Sequence, residues 1–157
     1  MKCFVALFLC LALPVGILAA DSQPGFKVVY DGGSLTNAKA GTKLNLTVDT
    51  ASVRISDGKT EIISIPAASI TEVSYGQDVH RRVGAAIGLA VISFGIGALM
   101  ALTKSKKHFV GLTWADGDKK GGFAMQCDKN DYRGVLAALE GVSGKKAVNS
   151  DAMTVKN

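Results

Sequence analysis

Val83 to Thr103 reads VGAAIGLAVISFGIGALMALT, 21 residues without a charge. Arg81 and Arg82 stand before it, and Lys104, Lys106 and Lys107 stand after it. As a helix the block would run about 31 Å at ~1.5 Å per residue, close to the thickness of a bilayer's hydrocarbon core. The flanking cations fit the boundary between water and lipid, and their presence on both sides leaves orientation open. The block lies in mid-chain, between segments patterned as strands, so its reading decides the fold. A single crossing would leave five strands on one side of a membrane and two strands with a helix on the other. Neither half would bury enough surface to fold alone. A membrane-inserted helix, or a re-entrant hairpin bent at Gly95 and Gly97 with both ends on one face, would keep the strands together. The hairpin's arms, about ten residues each, would dip into one leaflet. A segment that lies over the domain or pairs between subunits, outside lipid, would also preserve it. Gly84 and Gly88 form a GxxxG pair with Gly95 on nearly the same helical face, a surface on which helices of separate copies can pack.

Working outward, Ser69 to Tyr75 (SITEVSY) alternates through Ile70, Val73 and Tyr75, and Thr60 to Ile65 (TEIISI) comes before it, closed by Pro66. Asp57-Gly58 marks a hairpin turn back to Val53 and Ile55 in SVRIS. Lys43 to Val48 sets Leu44, Leu46 and Val48 on one face, the period of a half-buried strand. Phe26 to Tyr30 (FKVVY) reads as the first strand, Asp31-Gly32-Gly33 as a turn or bulge, and 34–42 as loop. Beyond the block, His108 to Ala115 (HFVGLTWA) and Gly122 to Cys127 (GFAMQC) read as strands around the turn Asp116-Gly117-Asp118. The period then changes. Tyr132, Val135, Leu136, Leu139 and Val142 share one face of an amphipathic helix. Asp128 is placed to cap it, and Gly141 or Gly144 to end it. The tail 145–157 is polar and reads as frayed.

Seven short antiparallel strands and one C-terminal helix make a mainly β chain. That order, with the runs ISIPAASITEVSYG, HFVGLTW and DKNDYRGVLAALEGVSGKK, resembles the pleckstrin-homology-like fold and its GRAM-type bacterial relatives over residues 26–144. The resemblance implies a small, bent, seven-stranded barrel closed at one end by the helix. Segments 21–82 and 104–144 would form one domain, with 83–103 as an inserted hydrophobic helix or hairpin of a kind found in envelope proteins. Relatives often bind inositol phospholipids through basic residues between the first two strands. Here 31–43 offer only Lys39 and Lys43 against Asp31, which leaves scaffolding or peptide binding.

Residues 1–20 read as a secretory signal peptide, with Lys2 before an apolar run and Leu18-Ala19-Ala20 as the cleavage site. Cleavage would leave Cys127 alone, with no internal disulfide, and it reads as a small hydrophobe at a strand end. The net charge of +5 is mild and scattered. No stripe of Lys or Arg interleaves with aromatics, which argues against nucleic acid as a partner. His80 and His108 bracket the block, but with Asp78 they define no metal-ligand spacing. GxSxG, HExxH, P-loop and GxGxxG motifs are absent. The chain reads as a non-enzymatic, exported, membrane-associated protein of the cell envelope, without cofactor or metal. Its role would be to bind or scaffold a protein, peptide or lipid. The alternatives are an oligomeric membrane assembly through Gly84, Gly88 and Gly95, and a soluble secreted ligand-binding protein.

Overall fold

The computed structural model describes residues 25–87 and 107–153. The leader 1–20 and most of the apolar block, with Gly88, Gly95, Lys104 and Lys106, lie outside the described residues. Period-two patterning yields β1 (Phe26–Gly33), β2 (Lys43–Val48), β3 (Ser52–Asp57), β4 (Thr60–Pro66), β5 (Ile70–Tyr75), β6 (His108–Asp116) and β7 (Lys119–Cys127). Helix α1 (Val79–Ala86) follows β5, helix α2 (Tyr132–Ser143) follows β7, and a two-residue strand β8 (Val148–Asn149) comes last. The strand order is β4-β3-β2-β1-β7-β6-β5-β8. β1 joins two meanders, with Val28 opposite Leu44 on β2 and opposite Cys127 on β7.

Two ladders settle how the halves of the chain relate. β1–β7 and β5–β6 pair strands from opposite sides of the apolar block, Tyr30 facing Met125 and Val73 facing Leu112. Both halves therefore belong to one sheet, and a single crossing that parts them is incompatible with it. Among the described residues no helix is long and apolar enough to cross a membrane.

On the inner face Leu46, Ile55, Ile65, Leu112, Phe123 and Met125 are sealed from solvent, and α2 adds Val135 and Leu139. Tyr132, Leu136 and Val142 complete the helix stripe at the margin of this core. α2 contacts β2, β5, β6 and the 3₁₀ turn Ala67–Ser69, so it bridges the two meanders. Gly144, at φ 66°, ends the helix, its N–H bonded to the Glu140 carbonyl at 2.9 Å. Trp114 packs at the edge of the core against Phe123, ring centroids 5.8 Å apart.

Some expectations change. The ladder is open, with β4 and β8 as its edges, so hydrogen bonds do not close a barrel. Among the described residues there are eight strands, and the sheet is mixed because β8 runs parallel to β5 with Val148 beside Ser74. Residues read as a frayed tail thus find backbone partners on the free edge of β5. The β3–β4 hairpin turns on Gly58-Lys59, since Asp57 pairs with Thr60. Asp128 acts one turn early: its carboxylate accepts the Asn130 N–H at 2.9 Å, and Asp131 holds the helix cap position.

Candidate functional site at the root of the apolar block

Val83 and Gly84, the first two residues of the apolar block, are buried within the domain. They lie on α1, which covers the outer face of β6 and β7, opposite α2. Alternation along β6 sends Val110 and Leu112 to the inner core and Phe109 to α1. Val79 and Val83 join Phe109 and Ala124 in a second apolar cluster, with Ile87 at its rim. The floor beneath them is glycine. A Cβ on Gly111 would lie 2.6 Å from Ser74 Oγ and from Val79 Cγ1, and 2.9 Å from Val83 Cγ2. One on Gly122 would stand 3.1 Å from Val83 Cγ1. Only a bare backbone lets so short a helix bring its valines down onto the sheet.

Two carboxylates brace the helix. A bulge between Tyr30 and Gly32 makes Asp31 the extra residue of β1. Its carboxylate, 5% exposed, lies 2.7 Å from His80 Nε2. The His80 ring meets Phe109 edge-on, centroids 5.2 Å apart. On β5, the two carboxylate oxygens of Glu72 accept Nε and Nη2 of Arg82 at 2.5 and 2.8 Å, a bidentate fork. Hydrogen bonding to that carboxylate raises the Arg82 pKa above its ordinary value, so the guanidinium stays charged. The chain that leads into β6 is tied to the chain just ahead of α1. Gln77 Nε2 donates to the Lys107 carbonyl at 2.9 Å, and the Gly76 N–H donates to the Phe109 carbonyl at 3.2 Å.

A hollow of about 580 Å³ opens beside α1, between Glu72, Arg81, Arg82, Ala85 and Ser150. The Ser150 hydroxyl is committed to the Tyr75 carbonyl at 2.9 Å. A second hollow of about 490 Å³ lies along β1, β2 and β7, near Lys27, Lys43, Asn45, Gln126 and Cys127. Burial, then the charge of Asp131, pushes the Cys127 thiol up to about 12, so it is no nucleophile at neutral pH. These arrangements fix a helix in place.

Arg81 and Arg82 lie on α1, Arg81 exposed and Arg82 bound to Glu72, and Lys107 stands just before β6. Gly84 is buried in the seat of α1. His80 lies against Asp31 and Phe109. His108 instead stacks flat on Tyr132, centroids 4.0 Å apart at 1°. Among the described residues no three metal-ligating side chains gather. Sequence reasoning passed over Asp31, Glu72 and the glycine floor as site residues. The glycine inside HFVGLTW was the available signal, because glycine within a strand marks close approach of another element. No protein-family model matches the chain, and a search of curated proteins finds no match.

Proposed function

We propose that this is a non-enzymatic, exported envelope protein whose bent β domain is held at a membrane by the apolar block, and which binds or scaffolds a partner there. The observation that carries this is the pairing of β1 with β7 and β5 with β6 across the block. A segment apolar enough to meet lipid leaves one domain and returns to it. With α1 docked and Ile87 at its rim, the uncharged stretch beyond the domain is Gly88 to Thr103, 16 residues. As a helix that is about 24 Å, short of a ~30 Å hydrocarbon core. Dipping into one leaflet with both ends on one face therefore fits better than spanning. Lys104, Lys106, Lys107 and Arg81 would lie at the headgroups. The strand order up to β5, with α2 across the two meanders, supports a pleckstrin-homology-like reading of the domain, bent at β1.

The test uses single cysteines at Lys59 and Asp118, exposed turn positions on opposite sides of the block in sequence. Intact cells are treated with a membrane-impermeant maleimide, and membranes are then washed with carbonate. Both sites are expected to label while the protein stays in the pellet. Labelling at one site alone would restore the single crossing, and release by carbonate would leave a soluble secreted domain.

A further inference from the structure

We propose that residues 145–153 form a latch that fixes the start of α1, and with it the root of the apolar block, to the domain. This stands whether or not Gly88 to Thr103 meets lipid. The segment leaves α2 through exposed Lys145 and Lys146. The Ala147 N–H then donates to Glu140 Oε1 at 2.5 Å, and Val148–Asn149 pairs with Ser74 and Tyr75. Ser150, 4% exposed, places both its N–H and its hydroxyl on the Tyr75 carbonyl, at 2.8 and 2.9 Å. Asp151 completes the path. Its Oδ1 accepts the backbone N–H of Gln77 at 2.6 Å and of Asp78 at 3.2 Å.

Those two N–H groups immediately precede Val79, the first residue of α1. A carboxylate there meets the backbone donors that lead into the helix and the positive end of its dipole together. Gly76 is an independent sign that the chain is shaped around this segment. It sits at φ 126°, and a Cβ on it would lie 2.6 Å from Asp151 Oδ1.

The device is asymmetric. A helix of eight residues is too short to hold itself, so α1 depends on its anchors. The sheet depends little on the latch, because β8 is a two-residue parallel strand at an edge. Releasing 145–153 should free the first turn of α1 and leave the inner core closed.

Hydrogen exchange read by mass spectrometry tests this in the full-length protein, in Asp151→Ala, and in a chain ending at Gly144. In both variants the amides of 77–87 should exchange about tenfold faster, with β1–β7 and α2 unchanged. Asp151→Asn, which keeps an accepting oxygen, should fall between Asp151→Ala and the native chain. Unchanged protection over 77–87 in Asp151→Ala would overturn the latch. An equal loss across β1–β7 in that variant would also overturn it, by making the segment part of the fold's common core. Asp151→Ala decides the matter if the shortened chain does not fold.

Discussion

Helix α2 enters the inner core with Val135 and Leu139, among Leu46, Leu112, Phe123 and Met125. Helix α1, on the other side of the same strands, sets Val79 and Val83 on a floor of Gly111, Gly122 and Ala124. It is then fixed by carboxylates from three distant places: Asp31 on β1, Glu72 on β5 and Asp151 near the C-terminus. The first mode is non-directional and scales with the apolar area removed from water. The second depends on position, because it tolerates neither an added methyl group nor a lost charge. One helix makes the domain stable; the other sets where the apolar block leaves it.

Four changes would break or sharpen that contrast. Leu139→Ala should cost about 2–5 kcal/mol of global stability, read as a lower denaturant midpoint shared by every probe. Asp31→Ala removes the carboxylate beside His80 Nε2 and should cost about 1–3 kcal/mol. That loss should appear as faster hydrogen exchange in 79–87, with a smaller midpoint shift than Leu139→Ala gives. Equal midpoint shifts would erase the distinction between the helices. Gly111→Ala should cost about 1–3 kcal/mol by overpacking and push α1 off its floor, visible as loss of the His80–Phe109 ring contact in NMR spectra.

The fourth change is pH. Cys127 and Tyr30 both have raised pKa values, chiefly through burial, so the folded state holds their protons more tightly than the unfolded chain does. Their contribution is fully present below the unfolded values and is lost as pH rises through the folded ones. For Cys127, whose thiol moves from 9.0 to about 12, stability should fall across that window. The slope is roughly 1.4 kcal/mol per pH unit. Cys127→Ala should flatten the slope in alkaline denaturation series, and Asp31→Ala should leave it alone.

The same contrast explains what the sequence could disclose. The α2 stripe recurs at helical spacing within 12 residues, and β2, β3 and β5 carry their own alternation, so both were legible locally. The seat of α1 was not, because hydropathy merges Val83 and Gly84 with the lipid-like residues after them. Only the glycine floor on β6 and β7, brought near by folding, separates domain from block. Asp31 meets His80 through a bulge and a long loop of chain, and no spacing rule encodes that. β8 is too short and too polar to carry a pattern; the open edge of β5 defines it. Closure of the barrel was likewise a property of edges, which alternation does not specify.

The bond from Gln77 to the Lys107 backbone brings the chain that follows the apolar block back to the start of α1. The chain thus re-enters the domain beside α1, a stump whose 8 residues span about 12 Å at ~1.5 Å per residue. Roughly six residues of plain linker, at ~3.3 Å each, would bridge that distance. The stump could then carry a different appendage, or none, while the sheet around it keeps its register.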